Sequence, residues 1–168
     1  RIIFPITNLR NETVGFGGRA LDDFGPKYIN TAESSIYRKN RSLYFTSEFL
    51  TDLKKKKFVI LVEGYFDVIA FNKLGFNNVA SPSGTALTVQ QINLLSRYTK
   101  EIYLCFDNDE AGDTATKRVL EIKNNQPSEF NFFKLTLPKE FKDISELYES
   151  GPSDINKIIN EKEDLVEF

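Results

Sequence analysis

The chain has 168 residues, 40% hydrophobic and 27% charged, enough for one domain or two small lobes around a real core. A lone Cys and a complete lack of His exclude an intramolecular disulfide, imidazole-based nucleophilic catalysis and zinc sites that need imidazole. The net charge is only −2, no apolar run reaches the length of a membrane span, and no basic-then-apolar leader opens the chain.

The charge is unevenly spread: up to Lys57 there are 11 Lys or Arg against six Asp or Glu, and beyond it 11 against 18. A basic part followed by an acidic one suits a protein that handles a polyanion beside a metal site. The absence of Met reads as a piece cut from a longer protein. From Arg1 to about Phe45, apolar stretches alternate with turn residues. Ile2 to Ile6, a turn at Asn8-Leu9-Arg10-Asn11, and Val14 to Leu21 with three glycines predict antiparallel strands joined by a hairpin. Ser47 to Lys57 is expected as a helix with Ser47 as its cap and Phe49, Leu50 and Leu53 on one face. The four lysines from Lys54 read as its solvated end.

From Phe58 onward, strands and helices alternate. Phe58 to Val62 is continuously apolar, as in a strand buried on both faces. A helix over Phe66 to Leu74 comes next, stopped by Gly75. Val79 to Ser81 is a short strand, and Val89, Ile92, Leu95 and Tyr98 mark another helix. Ile102 to Phe106 is a second buried strand, with Cys105 as a small core residue. Glu110 to Lys123 is a helix expected to turn Ala111, Ala115, Val119 and Ile122 inward. A fourth strand spans Phe130 to Leu137, and helices over Ile144 to Glu149 and Asp154 to Glu161 flank Gly151-Pro152. The fold expected is α/β, a mostly parallel sheet with helices on both faces, behind a small basic antiparallel lobe. The divisions fall at 1–57, 58–150 and a helical tail over 151–168.

Glu63 follows the Phe58 to Val62 strand, and Asp107-Asn108-Asp109 follows the Ile102 to Phe106 strand. Parallel strands end at one edge of their sheet, so these acids can converge in a crevice. Packed carboxylates repel, and an all-oxygen donor set suits Mg²⁺ or Mn²⁺. The same residues also suit helix caps: Asp107 to Asp109 for the Glu110 helix and Asp143 for the Ile144 helix. Asp67, one turn beyond Glu63, is favoured at a helix start by the dipole and can also face the crevice. Ser83-Gly84-Thr85 is a turn whose backbone N–H groups can receive phosphate oxygens.

Glu63-Gly-Tyr-Phe-Asp67, Gly84-Thr-Ala-Leu-Thr88 and Phe106-Asp-Asn-Asp-Glu-Ala-Gly112, in this order, resemble the TOPRIM signature of DnaG-type DNA primases. Upstream, Phe4-Pro-Ile, Gly15-Phe-Gly-Gly-Arg19, Pro26-Lys-Tyr-Ile-Asn30 and Lys39-Asn-Arg-Ser-Leu-Tyr44 resemble the nucleotide- and template-facing part of the same core. The resemblance implies that Glu63, Asp107 and Asp109 are catalytic metal-binding acids, joined by Asp143 and Asp67. It implies that Arg19, Lys27, Asn30, Arg38, Lys39, Arg41, Gly84 and Thr85 face nucleotide or template. It further implies two or more Mg²⁺ or Mn²⁺ ions with no zinc in this segment, ribonucleoside triphosphates as substrates and a single-stranded DNA template. A replicative helicase would dock through a region absent from this chain, without a membrane, in the bacterial cytoplasm or an organelle of bacterial origin. The chain departs from the family pattern at Arg38, where His is common, at Asn108, where Gly is common, and at Ser145, where a second Asp is common. TOPRIM motifs also occur in nucleases and topoisomerases, and a non-catalytic nucleotide-binding domain is the remaining alternative.

Overall fold

The computed structural model describes residues 1–125, 130–151 and 155–165. The first strands, β1 (Ile2–Thr7) and β2 (Thr13–Arg19), pair antiparallel, and β3 (Tyr28–Asn30) joins the far side of β2. The hairpin forms where the sequence predicts it. Asn8 Oδ1 accepts from the N–H groups of Arg10 and Glu12 at 2.9 and 3.1 Å, and Asn11 takes the left-handed conformation at φ 60°. Along β1, Phe4 and Ile6 are buried while Ile3 and Pro5 face outward, the period of two expected of a sheet with one covered face. Phe4 stacks on Tyr65 with ring centroids 4.5 Å apart, which couples this small sheet to the later part of the chain.

The connecting stretch carries a single 3-10 turn over Lys39–Arg41 and then α1 (Phe49–Lys56). Ser47 does not cap α1. The N-cap position is Glu48, without a side-chain cap bond, and the Phe49 N–H is taken by the Thr46 carbonyl at 3.1 Å in a lead-in turn. Lys57 closes the helix in the left-handed conformation, its N–H bonded to the Leu53 carbonyl.

Beyond it lie β4 (Phe58–Leu61), α2 (Tyr65–Lys73), β5 (Val79–Ala80), α3 (Val89–Leu95), β6 (Glu101–Leu104), α4 (Glu110–Asn125), β7 (Asn131–Lys134), α5 (Ile144–Glu149), α6 (Ile155–Asn160) and β8 (Glu163–Asp164). The second sheet has the order β5-β4-β6-β7-β8, parallel except for β8. Side chains of β4 alternate between two cores. Ile60 packs with α2, α5, α6 and β1, whereas Val59 and Leu61 pack with α1, α3 and α4. Each such buried aliphatic side chain contributes roughly 1.5–3 kcal/mol.

The connection from β4 leads outward to β5, and that from β6 leads the opposite way to β7, so the neighbours β4 and β6 diverge at their C-terminal ends. Open α/β sheets leave a crevice at such a switch point. Two expectations need correction. The buried stripe of α4 is Gly112, Thr116 and Val119, with Ala111 exposed and Ala115 half-buried. The fourth strand is shorter than predicted and is bordered by β8, which the sequence did not suggest. The start predicted at Asp154 for the last helix, and Pro152 before it, lie outside the described residues.

Candidate active site

The crevice at the C-terminal ends of β4 and β6 is built from loops that double as helix starts. Glu63 leaves β4, its carbonyl held by the Ser81 hydroxyl at 2.6 Å, and its Oε1 accepts from the Asp107 N–H at 3.1 Å. The two acidic loops are therefore in contact. Asp109 gives Oδ1 to the N–H groups of Ala111 and Gly112, both at 3.0 Å, and so caps α4. Asp67 accepts from the Gly64 N–H at 2.9 Å and from the Ser145 hydroxyl at 3.0 Å. Asp143 caps α5 by accepting from the Glu146 N–H at 2.9 Å. For Asp109 and Asp143 the cap bonds engage Oδ1 alone, so capping is compatible with facing the crevice through the other oxygen, whereas both oxygens of Asp67 accept hydrogen bonds. Ser145, in the place of an acid, keeps Asp67 hydrogen-bonded.

Crowding shows in the protonation of the cluster. Burial, followed by the charges of Glu63, Asp67 and Asp143, pushes the Asp107 carboxyl up to about 7. Burial also raises Glu63 and Asp67, whereas the Gly112 N–H holds Asp109 below the ordinary range. The ammonium of Lys142 lies 3.7 Å from Asp107 Oδ2 and 3.5 Å from Asp109 Oδ2.

The donor set is all oxygen, and the one thiol, Cys105, is buried and pushed up by burial, which suits a hard divalent cation and not a soft one. As the side chains stand, no three acidic groups among the described residues are arranged to ligate one ion. Lys142 sits where Asp107 and Asp109 face each other. The residues fit a divalent ion chemically, with Lys142 withdrawn.

A crevice of about 950 Å³ joins these acids to a basic wall. Glu63, Asp67, Asp107, Lys142 and Asp143 line it together with Arg19, Lys27, Asn30, Lys39 and Gly84. Arg19 is held by its own neighbours: Nη1 donates to the Tyr28 hydroxyl at 2.5 Å, and the guanidinium lies 5.3 and 5.2 Å from the Tyr28 and Phe66 ring centroids. Asn30 bridges the small sheet to the loop after β5, donating to the Ser83 carbonyl at 3.2 Å and accepting from the Tyr65 hydroxyl at 2.6 Å. A Cβ on Gly17 would lie 2.2 Å from that hydroxyl, so a glycine there lets Tyr65 reach across. Four sequence-derived candidates do not line this crevice, and one of them, Asp109, adjoins it through its ion pair with Lys142. Arg38 and Arg41 line a neighbouring groove with Arg10, and Thr85 lines adjoining clefts. Lys39 lines both the crevice and the cleft that Arg38 and Thr85 share, so the 3-10 turn stands at the border between them.

Three contributors escaped sequence reasoning. Lys142 was legible only as the residue before Asp143. Asn108 donates its side-chain N–H groups to the carbonyls of Phe141 and Pro138 at 2.8 and 3.3 Å, which ties the acidic loop to the segment before α5. Gln91, fully buried, donates to the carbonyls of Lys39 and Ser42 at 3.0 and 2.7 Å and so fixes the 3-10 turn. Its only sequence signal is the Thr88-x-x-Gln91 capping box.

Comparison with known proteins extends over the whole chain. A Toprim-like family model matches residues 60–148, and a model of the N-terminal domain of the DNA primase catalytic core matches residues 1–50. The DNA primase of Aquifex aeolicus is 36% identical over 99% of this chain, which spans about a third of that relative's length. The crystal structure of the zinc-binding and RNA polymerase domains of the Aquifex aeolicus primase superposes with a TM-score of 0.88, covering 98% of this chain and 40% of that one at 36% identity. A DnaG primase catalytic domain bound to single-stranded DNA superposes with a TM-score of 0.85, covering 98% of this chain and 52% of that one at 32% identity.

Proposed function

The chain belongs to the Toprim-like family, in the branch of DnaG-type DNA primases, and from that premise we propose that it is the nucleotidyl-transferring core of an enzyme that makes RNA primers on single-stranded DNA. The observation that carries the proposal is the meeting of acids from β4 and β6 with Arg19, Lys27 and Lys39 across one crevice. The reaction joins a primer 3′-hydroxyl to the α-phosphate of a ribonucleoside triphosphate. The hydroxyl proton is lost, a phosphodiester forms and pyrophosphate leaves.

Glu63, Asp107 and Asp109 would hold Mg²⁺ or Mn²⁺, two or more ions, with Asp67 and Asp143 supplying negative charge behind them. A divalent ion bound there lowers the hydroxyl pKa and offsets charge on the triphosphate. Arg19, stiffened by two aromatic rings, and Lys27 and Lys39 present cations to triphosphate and template phosphates, giving affinity and register without sequence preference. Asn30 holds the Ser83-Gly84 loop against the small sheet, which sets the width of the crevice. Capping bonds keep the acids from turning away as substrate enters. Single-stranded DNA is the template in this reading, which the likeness to a DnaG primase catalytic domain bound to single-stranded DNA supports. A replicative helicase would be engaged by parts of the longer protein, at the bacterial nucleoid or in an organelle of bacterial origin.

Calorimetric titration of GTP into the chain with and without Mn²⁺ tests this function. Binding is expected only with the metal, abolished by Asp107→Ala and weakened at least tenfold by Arg19→Ala, the loss of one charge-assisted phosphate contact being about 1.5–3 kcal/mol. Nucleotide binding indifferent to both metal and Asp107 would overturn it. Metal-dependent cleavage of a DNA or RNA oligomer that survives Arg19→Ala would favour a nuclease.

A further inference from the structure

Lys142 is built into the acidic crevice with its backbone hydrogen-bonded on both sides and its ammonium held only by partly exposed ion pairs. The Lys142 N–H donates to Glu146 Oε2 at 2.7 Å, and its carbonyl accepts from the Asn108 N–H at 2.7 Å. The Asn108 side chain adds bonds to the carbonyls of Phe141 and Pro138. The root of the side chain is thus clasped to the loop that carries Asp107 and Asp109. Its ammonium meets one oxygen of each acid, yet the side chain is 54% exposed. Asp109 has committed Oδ1 to two backbone N–H groups, so the Oδ2 that Lys142 occupies is its remaining oxygen. A divalent ion binding between the two loops needs those same oxygens.

We propose that Lys142 is a displaceable internal counter-ion, occupying a cation position between Asp107 and Asp109 in the metal-free protein and competing with the divalent ion for their oxygens. This rests on the metal site proposed above and adds a residue that sets its affinity. Without a cation the two loops would repel. A single ammonium offsets part of that repulsion and keeps Asp107 and Asp109 facing one position. Its exposed head and four-carbon stem let it leave at small cost when a doubly charged ion arrives. The freed ammonium stays in the crevice that Arg19 and Lys27 line, where a triphosphate can receive it.

The test is a calorimetric titration of Mn²⁺ alone into the parent chain, Lys142→Gln and Lys142→Arg, with melting temperatures measured alongside. Removing two partly exposed ion pairs is expected to tighten Mn²⁺ binding roughly tenfold in Lys142→Gln, while Lys142→Arg stays near the parent. The Mn²⁺-induced rise in melting temperature is expected to be larger in Lys142→Gln than in the parent, because its metal-free form has lost its counter-ion. A residue that merely holds the fold together would not, on removal, tighten metal binding. Equal or weaker binding in Lys142→Gln overturns the counter-ion and leaves the metal site standing. No binding by any of the three overturns both.

Discussion

Asp107 is the side chain whose state most affects the rest of the site. Its carboxyl is pushed up to about 7, while an aspartate in the unfolded chain titrates near about 4. The folded form therefore keeps a proton that the unfolded form has lost, and the corresponding stability fades as pH rises from about 4 through about 7. Glu63 and Asp67 are displaced in the same direction. Melting the metal-free chain in EDTA at pH 5.5 and 8.5 is expected to show a drop at the higher pH. Asp107→Asn should flatten that drop and melt higher than the parent at pH 8.5. Mn²⁺ should rescue the parent and not the variant. Gln91 offers a second test at this scale. Gln91→Leu leaves the carbonyls of Lys39 and Ser42 without their donor, at a cost of about 1–3 kcal/mol read from urea denaturation. Nucleotide affinity should fall with it, since the 3-10 turn that carries Lys39 loses its support.

At the scale of elements, the start of α4 governs the site. Gly112 faces the Asp107 backbone, and a Cβ there would lie 2.0 Å from the Asp107 carbonyl oxygen. Backbone cannot step aside as a flexible side chain can. Gly112→Ala is therefore expected to destabilise the chain despite a helix-propensity gain of about 1 kcal/mol, because overpacking of this kind costs typically 1–3 kcal/mol or more. It should also weaken Mn²⁺ binding by shifting the Asp107 to Asp109 loop. Gly75→Ala is the comparison: nothing lies within 4 Å, so its cost is the left-handed φ of 89° alone and metal binding should persist. The same contact explains why the inward stripe of α4 begins at Gly112 and not at Ala111. The Asp109 cap fixes where the helix starts, and Gly112 is the one residue of the first turn small enough to lie against the strand end.

Across the whole molecule, net charge hides the arrangement that matters: a basic wall from the small sheet faces acids from the parallel sheet. Binding of an oligo-dT strand, followed by fluorescence anisotropy over a KCl series, should weaken steeply with salt. Arg19→Ala and Lys27→Ala should each lower the slope of log affinity against log salt by about 0.7, the value for one phosphate contact on a single strand. Lys55→Ala, at the exposed end of α1 and outside the crevice, should leave the slope unchanged.

Read alone, the sequence determined the strand–helix alternation, the hairpin at Asn8, and the acids that end two strands, because each is written in short-range patterns of polarity and turn chemistry. It also yielded Arg19, Lys27, Asn30, Lys39 and Gly84, which the fold gathers around one crevice. Only tertiary structure decided that Arg38 and Arg41 turn into another groove, that Lys142 reaches Asp107 and Asp109, and that Asn108 and Gln91 hold the loops in place. Those outcomes join residues 30 to 52 positions apart, or turn on which cleft a side chain beside a single helical turn enters. Local periodicity carries no information about either.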